Sequence, residues 1–192
     1  MKKRLYLRCL CEGAIMLALA QILGYIRFYR MPYGGSITIA MVPLIFFALR
    51  WGVKRGLLVS FIYGVMQLLL DGGYAYTWQS MILDYLVAYT PVGLAGLFKG
   101  VKLGFLPGTV LGVFIRFVSL TLSGVYVWAE YMPETFLGMT MTDPWVYSPI
   151  YNGIYMGLCL ILCLIVLGAM YVPLKKYMFA QDIAEIKDRN KQ

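Results

Sequence analysis

Histidine is absent from all 192 residues. That omission removes the usual proton shuttle near neutral pH, a common metal ligand, and every Ser/His or Cys/His catalytic pairing. Charge is scarce as well: only 14% of residues are Asp, Glu, Lys or Arg, and the nine acids form no clustered motif for acid/base or metal chemistry. No G-x-x-x-x-G-K-[ST] run is present, so the chain carries no phosphate loop for nucleotide hydrolysis. No internal repeat is visible, which leaves an inverted-repeat transporter without support. The four cysteines, Cys9, Cys11, Cys159 and Cys163, lie among apolar residues and are expected as small core residues. Neither a metal nor a cofactor is expected.

What the chain has in abundance is apolar surface: 61% hydrophobic residues and a mean hydropathy of +0.73. No stretch remains that could build a separate soluble domain, so residues 1–192 are read as one all-α integral membrane domain. Six transmembrane helices fit, at roughly 9–29, 37–49, 56–70, 81–98, 107–128 and 148–172. The second and third fall short of the about 20 apolar residues that a bilayer requires and are expected to tilt or to extend at their ends. The first run is long enough to span and no small-x-small cleavage pattern follows it, so it is read as a retained helix.

A net charge of +8 could indicate nucleic acid, but the positions of the charges argue for topology instead. Lys2, Lys3, Arg4 and Arg8 precede the first helix, Arg50, Lys54 and Arg55 follow the second, and Lys99 and Lys102 follow the fourth. Lys175, Lys176, Lys187, Arg189 and Lys191 follow the sixth. Basic loops mark the inner face, which places both termini in the cytoplasm and sets these loops against anionic lipid or a cytoplasmic partner. The outer connections break at Pro32, Gly34 and Gly35 and at Asp71, Gly72 and Gly73. The third, Ala129 to Tyr147, is long and aromatic and is expected to be a lid or packed cap. The polar tail 181–192 is expected as a short helix or a frayed end.

Two charges stand inside apolar runs. A charge at the centre of a membrane helix costs about 2.5–3.5 kcal/mol on insertion scales, so Asp84 and Arg116 call for a partner, a cavity or a ligand. At about 1.5 Å per residue, Asp84 lies about 21 Å and Arg116 about 14 Å above the inner face, within reach of a salt bridge between the fourth and fifth helices. Near the outer helix ends are Tyr74, Tyr76, Trp78, Tyr85, Tyr126, Trp128, Tyr147 and Tyr151, which serve either as interfacial anchors or as ligand contacts. Asn152, early in the last helix, needs an internal partner or a ligand for its amide. A carboxylate, a cation, an amide and aromatic faces together suit a small, flat, partly cationic molecule that is bound rather than transformed. The competing reading is a ligand-free structural protein in which Asp84 and Arg116 only hold helices together. Ala14 and Ala18 form a small-xxx-small surface on the first helix, suited to internal packing or to a partner helix.

The stretch Asp84-Tyr85-Leu86-Val87-Ala88, continued by Pro91-Val92-Gly93-Leu94-Ala95-Gly96-Leu97-Phe98, resembles the thiamine-specific S component of energy-coupling factor transporters. So do Met41-Val42-Pro43-Leu44 and Leu49-Arg50-Trp51-Gly52. The similarity continues through Gly108-Thr109, Arg116, Ser123-Gly124, Trp128, Tyr147-Ser148 and Asn152-Gly153, and spans nearly the whole chain. It implies a subunit of the bacterial plasma membrane that captures thiamine on the outside and works with a transmembrane coupling protein and two cytoplasmic ATPases. The resemblance assigns Ala14 and Ala18 to the coupling-protein interface. It assigns Tyr74, Asp84, Tyr85, Arg116, Gly124, Trp128, Tyr147 and Asn152 to the ligand.

Several positions depart from that pattern. Asp84 stands where the family usually has Glu, and Arg116 where it has Lys. Gly34 or Gly35 replaces a Trp, Thr38 a frequent acid, and Leu120 a His. The departures leave open a pyrimidine precursor, a pyridoxine-type vitamin or a thiamine derivative, unless Trp78, Tyr126 or the aromatic outer loop supplies what is missing. Thiamine is the favoured ligand.

Overall fold

The computed structural model describes residues 2–32, 34–70 and 77–184. Helix α1 (Lys2–Tyr25) leads into a short hairpin, β1 (Tyr29–Arg30) with β2 (Ser36–Ile37), and then into α2 (Met41–Trp51) and α3 (Val53–Leu70). A composite helix α4 (Trp78–Phe98) follows. Next come α5 (Phe105–Tyr126), a second hairpin of β3 (Thr135–Phe136) and β4 (Met139–Thr140), and α6 (Pro144–Met178). Five of these helices are long and apolar enough to cross a membrane, and α2 is a shorter apolar helix. The expected all-helical membrane architecture is therefore present, with shifted boundaries.

The third span reaches full length by starting at Val53, but α2 keeps only 11 residues. The reason is its location. Every residue from Met41 to Trp51 is buried, and α2 packs against α1, α3, α4, α5 and α6. A helix enclosed by protein needs neither a polar face nor the full bilayer length, and non-helical backbone at its ends is tolerated because protein covers it.

Helix α4 is not uniform. Thr77 caps it through a reciprocal pair with Ser80, a π-helical segment runs over Met81–Val87, and a 3₁₀ segment over Thr90–Phe98. Pro91 has no N–H to give to the carbonyl one turn back, so regular α-helix cannot continue through it. Neighbouring hydroxyls take up nearby carbonyls: Thr90 Oγ1 donates to Leu86 O at 2.6 Å, and Ser119 of α5 donates to Leu83 O at 3.2 Å. Glycine sets the approach of α4 to α3, because a Cβ on Gly93 would lie 2.3 Å from the Gly56 carbonyl carbon. Backbone therefore rests on backbone at this crossing.

The long outer connection forms a packed cap, as its aromatic content suggested. Leu137 (φ 53°) and Gly138 (φ 76°) both lie in the left-handed region, which is the pattern of a type I′ turn joining β3 to β4. Phe136 packs on Tyr147 and Tyr151 of α6, and Met141 is buried.

At the inner face the charges behave differently from solvated loop residues. Arg50, 3% exposed, donates to both oxygens of Glu12 (2.6 and 3.0 Å), to both oxygens of Asp182 (2.8 Å each) and to Tyr177 O (2.7 Å). Arg8 bonds the same two carboxylates, and the Trp51 indole N–H donates to Glu12 at 2.6 Å. The beginning of the polar tail is thus anchored rather than frayed, with residues 181–184 helical; residues 185–192 lie outside the described residues. All four cysteines are free thiols, but Cys11 is exposed and does not join the other three in the interior.

Candidate ligand-binding site

A cavity of about 770 Å³ opens among the end of α1, the β1–β2 hairpin, α3, α4, α5 and α6. Asp84, Tyr85, Arg116, Gly124, Trp128, Tyr147 and Asn152 all line it. Tyr74, the remaining residue assigned to the ligand, lies outside the described residues, as do Tyr76 and the turn at Asp71, Gly72 and Gly73.

Asp84 and Tyr85 are sequence neighbours, and on a regular helix they would diverge by about 100°. Both reach the cavity from the π-helical segment, whose wider turn changes the register of the side chains. The Asp84 carboxylate accepts a hydrogen bond from Trp128 Nε1 at 2.9 Å. Arg116 lies with its guanidinium carbon 3.7 Å from the centroid of the Tyr89 ring, and its Nε is sealed from solvent without a hydrogen bond.

The ion pair between Asp84 and Arg116 that reach alone allows is absent: the ion pairs among the described residues join Arg8 and Arg50 to Glu12 and Asp182 instead. Trp128 lies twelve residues beyond Arg116, just past the last residue of α5 at Tyr126, which is itself about 15 Å further along the helix axis than Arg116. Asp84 is held by a residue at the outer end of α5, while Arg116 turns back onto Tyr89 of α4. Length of reach permitted the pair; the direction of the two side chains forbids it.

The α6 wall is built on helical spacing. Tyr147 stacks on Tyr151 (5.5 Å, 29°), and Tyr151 meets Tyr155 edge-on (5.8 Å, 64°). On the adjoining stripe, Asn152 is 6% exposed and donates from Nδ2 to Ser148 O at 2.9 Å and Ser148 Oγ at 3.1 Å. Its Oδ1 accepts from the Tyr155 hydroxyl at 3.0 Å. The amide is thus internally satisfied and held in one orientation. Gly124 permits this arrangement, because a Cβ there would fall 2.1 Å from Ser148 Oγ. Its place in the site is close approach of α5 to α6.

The cavity is also lined by Tyr63, Gln67, Tyr89 and Tyr155, which carry no ligand assignment from the sequence, and by Cys159, expected only as a core residue, with Arg27, Arg30 and Tyr131 nearer the mouth. Tyr155 was accessible to helical periodicity, since Tyr147, Tyr151 and Tyr155 recur at i, i+4 and i+8. Trp78 and Tyr126 are 68% and 71% exposed and do not line the cavity. Tyr126 instead packs edge-on against Trp145.

The family departures cluster here, because Gly34, Gly35, Thr38 and Leu120 all line the cavity. A Cβ on Gly35 would already touch the Tyr155 ring at 3.0 Å, and the Gly35 N–H donates to the Tyr151 hydroxyl at 3.1 Å. Tyrosines from α6 thus occupy space beside the β1–β2 turn. Aromatic faces are supplied from α6 and from the outer connection, where Trp128 and Tyr131 meet at 5.7 Å.

Comparison with known proteins agrees with this architecture. The family model described as "Thiamine transporter protein" matches residues 10–179. The thiamine transporter ThiT of Bacillus subtilis is 32% identical over 154 residues, covering 72% of this chain and 77% of that protein. ThiT of Lacticaseibacillus paracasei is 27% identical over an alignment of 198 residues, covering 95% of this chain and 96% of its own. Among solved structures, ThiT from Listeria monocytogenes superposes with a TM-score of 0.79 at 19% identity, covering 90% of this chain and 98% of that one, and so shares the fold. The chain belongs to the thiamine transporter protein family.

Proposed function

We propose that this multi-pass protein of the bacterial cell membrane captures thiamine in the 770 Å³ cavity and delivers it for uptake as the substrate-binding S component of an energy-coupling factor transporter. Family membership supports the ligand. The observation that carries the site is Asp84, the one carboxylate among the described lining residues, held at a wall of aromatic rings. Thiamine is a cation built from two flat heterocycles. A carboxylate in a half-dry cavity attracts its positive ring, and the faces of Trp128, Tyr147 and Tyr85 add cation–π and stacking surface. Asn152 has both amide N–H groups engaged by Ser148, and its Oδ1, which accepts from the Tyr155 hydroxyl, keeps one further acceptor site for the exocyclic amine.

The chain binds and does not hydrolyse. The power stroke belongs to separate subunits: a transmembrane coupling protein and two cytoplasmic ATPases. Ala14 and Ala18 support this reading, since both are exposed on α1 and offer a smooth strip for close approach of a helix.

Titration of the purified chain with thiamine, followed by tryptophan fluorescence and by calorimetry, tests the assignment. Saturable one-to-one binding with quenching that disappears in Trp128→Phe is expected. Absence of binding, or quenching unchanged in Trp128→Phe, would remove thiamine from this cavity.

A further inference from the structure

The capture of thiamine at Asp84 leaves the inner end of the 770 Å³ cavity without a role. Arg116 stands eight residues before Gly124 on α5, about 12 Å deeper along the helix axis. Around it are Tyr63 of α3, Tyr89 of α4, and Tyr155 and Cys159 of α6: three phenol rings and a thiol. Tyr89 covers one face of the guanidinium at 3.7 Å and itself meets Tyr63 edge-on at 4.9 Å.

What Arg116 lacks is an acceptor. Its Nε is sealed from solvent without a hydrogen bond, and among the described residues the guanidinium makes no other hydrogen bond and no ion pair. Asp84, the one carboxylate among the described lining residues, accepts from Trp128 instead. A guanidinium cannot shed its charge, and its N–H donors lie in its plane, where the face of Tyr89 offers nothing to accept them. Leaving such donors unmet away from water is costly. Thiamine sharpens the demand, because it brings a second positive charge into a space where, away from the mouth, one carboxylate stands against one arginine. An acceptor with a single negative charge at Arg116 removes both defects.

We propose that the inner end of the cavity is a subsite for a small inorganic monoanion of chloride size, held by Arg116 and bound cooperatively with thiamine. The cooperative part rests on the capture of thiamine proposed above; the subsite itself does not. Opposite unit charges about 10 Å apart in a half-dry cavity raise each other's affinity about ten-fold, and the coupling is reciprocal.

Titration of the purified full chain with thiamine, in buffers where chloride replaces the bulky anion gluconate at constant ionic strength, tests this. The thiamine Kd is expected to fall about ten-fold and then level off as the subsite saturates. Lys175→Gln with Lys176→Gln, which removes charge from the inner face away from the cavity, should leave that fall intact, whereas Arg116→Gln should give one Kd in both salts. Without thiamine, bromide should raise the melting temperature of the wild-type chain saturably, and anomalous scattering from bromide-soaked crystals should place the ion beside Arg116. Thiamine binding with equal Kd in chloride and gluconate would overturn the subsite and leave thiamine capture standing. A fall in Kd that persists in Arg116→Gln, or crystals without bromide at Arg116, would overturn it as well. Absence of thiamine binding in either salt would sink the capture reading, and the bromide measurements then decide the subsite by themselves.

Discussion

The indole N–H of Trp128 donates to the Asp84 carboxylate at 2.9 Å, tying the outer end of α5 to the π-helical segment of α4. Replacing Asp84 by Asn keeps the shape and an acceptor for the indole but removes the charge. Thiamine affinity should fall by about 2–4 kcal/mol, roughly 30- to 1000-fold in Kd, because a charged contact in a partly dry cavity is lost. Trp128→Phe should cost less, since it removes a ring face only in part. Calorimetric titration of the two variants checks the order; an unchanged Kd for Asp84→Asn would exclude the carboxylate from recognition.

Closure of the mouth rests on Phe136. Its ring meets Tyr147 at 5.4 Å (85°) and Tyr151 at 5.8 Å, so the β3–β4 hairpin is pinned to the aromatic wall by two ring pairs, each worth about 0.5–1.5 kcal/mol. Phe136→Ala should release the hairpin and speed ligand dissociation about ten-fold, with little change in association rate. Stopped-flow fluorescence separates the two rates, and an unaltered dissociation rate would show that the hairpin does not gate the cavity.

Packing makes a different demand at Gly124. A methyl group there would lie 2.1 Å from Ser148 Oγ and 3.6 Å from the Asn152 amide nitrogen. Gly124→Ala should therefore push α6 away, destabilise the protein by about 1–3 kcal/mol and disorient Asn152. Adding Ser148→Ala removes the clashing hydroxyl and should recover part of the melting temperature. Thermal unfolding in detergent, read for both variants and the double variant, gives the coupling; strict additivity would contradict the contact.

The membrane helices were legible because long apolar runs bounded by glycine, proline and charge have few other solutions. The location of α2 was not, since an uninterrupted run such as Met41–Trp51 reads the same whether lipid or protein surrounds it. The residues of the cavity came from charges in apolar surroundings and from the family resemblance, and seven of those positions do line one space. Missed were Tyr89 and the true partners of Asp84 and Arg116. Spacing along two helices bounds how far side chains reach, but the π-helical register of α4 decides which way they point.

The Arg50 cluster was illegible for a related reason: its members are 38 and 132 residues apart, and each looks like an ordinary interfacial charge. In the structure Arg50 is 3% exposed, and its partners Glu12 and Asp182 are 22% and 12% exposed. Removing one member of such a group leaves unbalanced charge behind, so Arg50→Met should destabilise the protein by about 3–5 kcal/mol and detach the residues after α6. Arg50→Lys should not restore it, because one ammonium cannot serve two carboxylates with paired bonds. Combining Arg50→Met with Glu12→Gln and Asp182→Asn removes the stranded charges and should regain much of the loss. If orphaned charge is the cause, the triple variant melts well above the single one; if the cluster acts only through packing, the triple variant melts lower still.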